Sequence, residues 1–127
     1  METTKNNRPK SLDEACQLAN RPAVDFAKFT DLPSDLVTVF NGMYNGIVIT
    51  EAINVGTKPD VAYPNVRKWH PWFKTSGAPA GFAFDESGYD CGYAAAGSGS
   101  RLQYHNEEDS DYSAEAFPEI WKDIQLG

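Results

Sequence analysis

The stretch "NVRKWHPWFKTSG", residues 65–77, has the alternation of a β-strand and sets where the sheet begins. In an extended chain Trp69, Pro71 and Phe73 share one face, because successive side chains point to opposite sides. The other face carries Lys68, His70, Trp72 and Lys74. Helices on one side of a sheet cover only one of these sets, so we expect one tryptophan near the surface. Pro71 lacks an N–H group and favours an edge strand.

Three later segments repeat this period of two. Their larger side chains are Phe82 and Phe84, then Tyr89, Cys91 and Tyr93, then Leu102 and Tyr104. The links between them, "DESG" and "AAAGSG", are rich in the residues that turns require. The spacing therefore predicts an antiparallel meander of three or four short strands that begins with "KWHPWF".

Two helices are predicted before the sheet. Ser11 followed by Glu14 matches a capping box and predicts a helix over about residues 11–20. Ser34 can cap a second, central helix, which Gly56 and Pro59 would end. The apolar residues that indicate this helix recur at steps of four and three, and they are Leu36, Phe40, Met43 and Ile47.

The central helix has a competing interpretation. Gly42 and Gly46 each cost about 1 kcal/mol in a helix, and "IVIT" alone would suit a strand. If the helix forms, the two glycines lie one turn apart on one face. They then indicate either the close approach of another element or a hinge.

The segment "SDYSAEAFPEIWKDIQLG" predicts a C-terminal helix with Ser110 or Ser113 as its cap. Apolar side chains recur there at helical intervals, and they are Tyr112, Phe117, Ile120, Trp121 and Ile124. Pro118 leaves two possibilities. Either a helix begins near Phe117 with Pro118 in its first position, or a longer helix is kinked at the proline.

These elements predict an α+β fold in which two N-terminal helices and one C-terminal helix pack on the meander. The first ten residues are polar and without periodicity, so residues 1–10 are expected to form a mobile tail and residues 11–127 a single domain. A chain of 127 residues can bury enough surface to fold without a metal or a disulfide.

Charge and composition restrict the function. The net charge of −7 disfavours direct binding to nucleic acid, since a protein of that sign is repelled by phosphates. The excess of negative charge is concentrated in residues 106–127, which carry seven carboxylates and one lysine. Residues 58–74, in contrast, carry four cations and one aspartate. With no apolar segment typical of membrane insertion or export, the sequence predicts a soluble protein inside the cell.

No arrangement of residues points to catalysis. His70, His105, Cys91 and Asp90 lack the spacing of a metal chelate, and the alternation places Cys91 on an inward face. The acidic run "NEEDSD", residues 106–111, more simply solvates a loop and places negative charge at a helix N-terminus. The sequence therefore predicts a non-enzymatic protein with no cofactor and no metal.

Several segments in order resemble a group of small proteins encoded by phages and prophages of Bacteroidetes bacteria. The segments are "EAINVGTKPD", "RKWHPWF", "GAPAGFAF", "GSRLQY" and "FPEIWKDI", within roughly residues 35–126. The chain departs from the group at Thr57, where tryptophan is common, at His70, where an aromatic residue is usual, and at Pro118 in the final helix. The resemblance implies a source, and no chemistry or site residue comes with it.

Two functional hypotheses follow. In the first, the chain acts through protein contacts, for example as a virion or assembly component. In the second, it is a small acidic factor whose C-terminal face binds and inhibits a basic host protein. The partner is then a phage protein, a host protein or a second copy of the chain, and the location is the cytoplasm of the bacterial host or the virion itself.

One candidate contact patch can be named. It comprises Lys68, His70, Trp72 and Lys74, because large aromatic residues and cations dominate interface energetics. The alternative is that both Trp69 and Trp72 are packed, one in the core and one against the chain termini.

Overall fold

The computed structural model describes residues 8–54, 67–74, 82–91 and 102–126, and for Arg67, Lys68, Asp90 and Cys91 it describes the backbone alone. The elements are α1 (Leu12–Ala19), α2 (Val37–Ile53), β1 (Arg67–Lys74), β2 (Ala83–Cys91), α3 (Glu107–Ala116) and α4 (Pro118–Leu126), with 3-10 turns at Phe26–Lys28 and Ser34–Leu36. This mixture confirms the α+β class. Within those ranges, however, the sheet has two strands rather than three or four.

β1 and β2 pair antiparallel, with one irregularity in the register. Trp72 lies opposite Glu86 and Phe73 lies opposite Phe84, so Asp85 is an extra residue that forms a β-bulge. The extra residue shifts the alternation of side chains in β2 by one position, so Phe84 and Ser87 point to the same face. The turn predicted at "DESG" is therefore wrong, because these residues bend one continuous strand instead of separating two.

A short bridge, and not a full strand, lies on the other side of β1. Trp69 and Tyr104 exchange both backbone hydrogen bonds, with N···O distances of 2.9 and 2.7 Å. In an antiparallel ladder the backbone N–H and C=O groups of successive residues point alternately to the two sides of the strand. Pro71 comes two residues after Trp69, so its nitrogen also points to the Tyr104 side of β1 and not to β2. β1 is thus paired on both sides at Trp69, and Pro71 removes no hydrogen bond to β2.

α1 forms as the sequence predicts. The hydroxyl of Ser11 accepts a hydrogen bond from the Glu14 backbone N–H at 3.2 Å, and Asn20 ends the helix in the left-handed conformation, with φ 55°. Ala15 is fully buried and packs against the C-terminal half of α2, at Ile49 and Ala52. This contact forms one of two hydrophobic clusters.

α2 is a helix, which settles its competition with a strand, but one detail of its prediction is wrong. Ser34 belongs to the preceding 3-10 turn and is not a side-chain cap. In the first half of the helix the buried residues are Gly42 and Gly46, whereas Phe40 and Met43 are exposed. The predicted end at Gly56 and Pro59 lies outside the described residues.

The two glycines of α2 mark a close helix contact. A Cβ atom on Gly42 would lie 2.8 Å from the Asp123 Cβ and 2.9 Å from the Ile124 backbone nitrogen, both in α4. On Gly46 it would lie 2.8 Å from the Cδ1 of Ile124. The interpretation of close approach is therefore confirmed.

The C-terminal region contains two helices and not one. Asn106 caps α3 by accepting a hydrogen bond from the Asp109 backbone N–H at 2.8 Å, so Ser110 and Ser113 lie inside the helix and the predicted cap is wrong. Phe117 ends α3, and Pro118 is the first residue of α4. This corresponds to the first of the two possibilities for the proline, since its missing N–H costs nothing there.

Two residues of the predicted tail, Arg8 and Pro9, are packed against α3. The Arg8 guanidinium lies 2.8 Å from the Asp109 carboxylate and 5.2 Å from the centre of the Tyr112 ring, and Arg8 and Asp109 are both almost completely buried. The Tyr112 hydroxyl donates to the Pro9 carbonyl at 2.7 Å. The expectation of a mobile tail is therefore wrong for these two residues.

The glycine contact can be tested with paired substitutions. Gly→Ala inside a helix usually stabilises by about 0.5–1 kcal/mol. We expect Gly42→Ala to destabilise by about 1–3 kcal/mol, since the backbone of α4 must move. Gly46→Ala should cost less, because it meets a side-chain end that can rotate. Urea unfolding of both variants measures the difference, and a more stable Gly42→Ala variant would contradict this packing.

The buried ion pair makes a second prediction. Arg8→Met should reduce the free energy of unfolding by about 3 kcal/mol, because it leaves the Asp109 carboxylate buried without its cation. Lys10→Met is the control, since Lys10 is exposed, and it should change stability by about 0.5 kcal/mol or less. Equal melting temperatures for the two variants would show that Arg8 does not anchor the segment.

Candidate interaction surface on the outer face of the sheet

The two faces of the β1–β2 pair have different environments. The inner face packs on α3 and α4: the Ser87 hydroxyl donates to the Asp111 carboxylate at 2.6 Å, and the Phe73 ring lies 5.7 Å from the Trp121 ring. The outer face, turned away from these helices, carries His70, Trp72, Lys74, Glu86 and Gly88. Three of the four predicted patch residues therefore belong to one described surface, and the side chain of the fourth, Lys68, lies outside the description.

Trp72 is the most exposed large apolar side chain among the described residues, at 59 %. Its indole crosses the strand pair and covers Gly88, where a Cβ atom would lie 2.9 Å from the indole Nε1. A glycine in a strand commonly allows such an aromatic side chain to lie over the backbone. One side of the ring is thus supported while the rest faces solvent, so the interpretation in which both tryptophans are packed does not fit.

His70 and Lys74 flank Trp72 on the same strand. The His70 ring lies 5.8 Å from the indole, centre to centre, with 50° between the ring planes, and it is partly buried. The Lys74 ammonium lies 3.9 Å from the Asp85 carboxylate, and both groups are exposed. An exposed pair at that distance contributes little energy, so Lys74 remains able to contact a partner.

The charge of this surface differs from the charge of its sequence segment. β1 is cationic in sequence, but β2 places Asp85 beside Lys74 and Glu86 opposite Trp72. In the ladder Lys68 also pairs with Asp90. Among the side chains that the structure describes, Lys74 therefore lies beside a carboxylate from a later part of the sequence, and the surface around Trp72 has mixed charge.

Trp69 has the opposite role to Trp72. It lies on the inner face, is partly buried, and its ring lies 4.9 Å from the ring of Tyr89. Its backbone makes both hydrogen bonds of the bridge to Tyr104. Side-chain alternation correctly predicted which tryptophan faces the solvent.

A polar network behind the sheet was not predicted. The Ser87 hydroxyl lies 2.8 Å from the Ser110 hydroxyl, and the Tyr104 hydroxyl lies 2.9 Å from that of Thr50. Burial raises the pKa of Tyr104 to about 12, although hydrogen bonds to Thr50 and Ser113 act in the other direction. The network holds α3 and α2 against the inner face with hydroxyl groups, which leave no trace in a hydrophobic pattern.

One signal in the sequence could have indicated this contact. Ser110, Ser113 and Ala114 are small, stand at helical spacing, and are all buried in α3. Small residues at that spacing allow a helix to lie close to a neighbouring element. The acidic residues around them obscure this pattern in the sequence.

The titratable and nucleophilic side chains of the described residues are the groups on which metal binding or catalysis would depend. No group of three or more His, Cys, Asp or Glu side chains is placed among the described residues to hold a metal ion. Burial, with help from Asp13, raises the pKa of the Cys16 thiol, which makes the thiolate less available. The side chain of Cys91, the other cysteine, lies outside the description.

Searches of protein-family models, of curated proteins and of solved structures found no match to this chain. The resemblance to phage and prophage proteins therefore stays a prediction. Any inference about function therefore rests on the geometry of the chain itself.

The two tryptophans provide a direct test of this arrangement. Trp69→Ala should cost about 3–5 kcal/mol, because it removes a packed ring next to the backbone bridge. Trp72→Ala should change the free energy of unfolding by less than about 1 kcal/mol, because the ring is mostly exposed. Thermal melts followed by circular dichroism compare the two. Large and equal losses would mean that both faces of β1 are buried.

Proposed function

We propose that the protein is a non-enzymatic interaction module and that the outer face around Trp72 is its contact surface for another protein. The observation that supports this proposal is a large aromatic side chain that is 59 % exposed and yet packs across the backbone at Gly88. A side chain already ordered before binding loses less conformational entropy when the partner arrives.

The composition of the surface fits a protein partner. Tryptophan is enriched among residues that dominate binding energy, and such residues are usually surrounded by polar groups that exclude water. Here His70, Lys74 and Glu86 surround the indole. Because the surrounding charges have both signs, we expect a partner that also presents both signs, and binding that depends only weakly on salt.

A narrower form of the proposal is a virion or assembly component of a phage, located in the host cytoplasm or in the particle. It rests on the resemblance of the motif order and on the contact surface together. Mass spectrometry of purified particles from the source phage tests it. Detection at a fixed ratio to the other particle proteins would support a structural role, and its absence would remove this narrower form and leave the contact surface as a separate question.

A second candidate function uses the other charged surface. Glu107, Glu108, Glu115 and Glu119 are exposed on α3 and α4. This acidic surface could bind a basic host protein and inhibit it. Such a complex would be lost at about 0.5 M salt, where the Debye length falls to a few ångström, whereas a contact centred on Trp72 would persist.

The experiment compares capture of partners by the wild-type chain and by substituted chains from lysate of the source cells, at low and high salt. Trp72→Ala should weaken capture by about 30-fold, which corresponds to about 2 kcal/mol, without loss of fold. Gly88→Ala should weaken it less, because an added Cβ displaces the indole without removing it. Leu18→Ala is the control, since Leu18 is a half-exposed apolar residue on α1, away from the sheet.

The results separate the two candidate functions. A partner retained at high salt by wild type and by Leu18→Ala, and lost with Trp72→Ala, supports the outer face. A partner lost at high salt and retained by Trp72→Ala would instead support the acidic surface. Capture that none of the substitutions changes would contradict the contact surface proposed for Trp72.

A further inference from the structure

The N-terminal half of α2 and the 3-10 turn before it expose an apolar stripe. Leu36, at the end of the turn, is 39 % exposed, and Phe40 and Met43 are 39 % and 36 % exposed. Ile47 continues the same row and is partly buried against the cluster around Trp121. Their steps of four, three and four residues keep them on one side of the helix. This spacing is typical of a helix that packs along another helix.

The rest of α2 is already engaged. Gly42 and Gly46 face α4, and Ile49 and Ala52 pack against α1. The stripe is therefore a second apolar face on a helix whose first apolar face is in the core. The stretch Ser34–Ile53 has a mean hydropathy of 1.2 with 39 % of its residues buried, whereas a helix that is apolar all round is normally buried all round.

Two neighbours widen the stripe. Phe29 is 52 % exposed and contacts Phe26, whose ring also lies 5.9 Å from the ring of Phe40. Leu126 is 51 % exposed at the end of α4, and α4 runs along α2 with Ile124 at Gly46 and Asp123 at Gly42. The stripe thus lies between the 3-10 turn at Phe26–Lys28 on one side and the end of α4 on the other.

The size of this patch matches one half of a protein dimer. With about 200 Å² for a fully exposed large side chain, the side chains of the stripe, Phe29 and Leu126 expose on the order of 400 Å² of apolar surface. A standard interface buries about 800 Å² on each partner, and somewhat more than half of that area is apolar. The apolar part of such an interface is therefore already present on one copy.

We propose that a second copy of this chain covers the stripe through an antiparallel α2–α2 contact about a two-fold axis. The spacing of four, three and four residues is symmetric about its midpoint. An antiparallel partner therefore brings Phe40 of one copy opposite Met43 of the other and Leu36 opposite Ile47, and each copy presents the same surface. The antiparallel arrangement also opposes the two helix dipoles favourably.

Other occupants fit the charge less well. A chain with a net charge of −7 is repelled by an anionic lipid surface. Two copies repel each other as well, but salt screens that repulsion, so the dimer should become tighter or stay unchanged as salt rises. This dependence is opposite to that expected for binding through the acidic surface of α3 and α4.

Sedimentation equilibrium of the full chain, from about 5 to 200 µM and at two salt concentrations, tests the proposal. Wild type should associate to a dimer, and Met43→Glu should weaken that association by more than about 30-fold, because a carboxylate on each copy would be buried next to the interface. Phe40→Glu should act in the same direction. Leu18→Glu is the control, since Leu18 is 54 % exposed on α1, away from the stripe.

Circular dichroism melts keep the outcome interpretable, because Met43 makes none of the ring contacts of Phe40, and its replacement should leave the fold intact. A monomer at every concentration would overturn the proposal, as would a dimer that Trp72→Ala dissociates and Met43→Glu does not. Flotation with zwitterionic vesicles tests lipid as the alternative occupant of the stripe. If the wild-type monomer binds the vesicles and Met43→Glu abolishes this binding, lipid covers the stripe instead of a second copy.

Discussion

Tyr104 connects the sheet to the helices, and most of the arrangement depends on that connection. Its backbone exchanges two hydrogen bonds with Trp69 of β1, and its hydroxyl lies 2.9 Å from that of Thr50 in α2. Next to it, the side chain of Asn54 at the end of α2 donates to the Gln103 carbonyl at 2.9 Å. A two-stranded sheet is only marginally stable alone, so these bonds and the rings packed around Tyr104 stabilise the β1–β2 pair that the structure describes.

The bulge at Asp85 determines which side chains reach the surface. Without the extra residue, β2 could not place both Phe84 and Ser87 on the inner face, because side chains in a strand alternate. Once that parity is set, Gly88 falls on the outer face, where the indole of Trp72 lies across it. An exposed tryptophan with a fixed orientation thus results from an irregularity in the opposite strand.

The two proposed contact surfaces differ in physical character. The outer face of the sheet offers one ordered ring surrounded by charges of both signs, whereas the stripe on α2 offers a broad apolar area with few charges. The first suits a specific contact with another protein, and the second suits a contact between identical copies. They lie on different elements, so a partner on one surface leaves the other surface accessible.

The sequence by itself determined the periodic features. Alternation in "KWHPWF" separated Trp69 from Trp72, the capping residue Ser11 located α1, and the spacing of apolar residues located α2 and α4. These features depend on neighbouring residues, and backbone geometry translates them directly into faces and ends.

The same pattern could not tell which face of α2 enters the core, because two faces of the helix lack charged residues and only the position of α4 against Gly42 and Gly46 distinguishes them. The tertiary structure alone decided that Arg8 is buried on Asp109, that "DESG" contains a bulge and that Lys74 of β1 lies beside Asp85 of β2. Each of these depends on a contact between residues distant in sequence, whose energy no local pattern records.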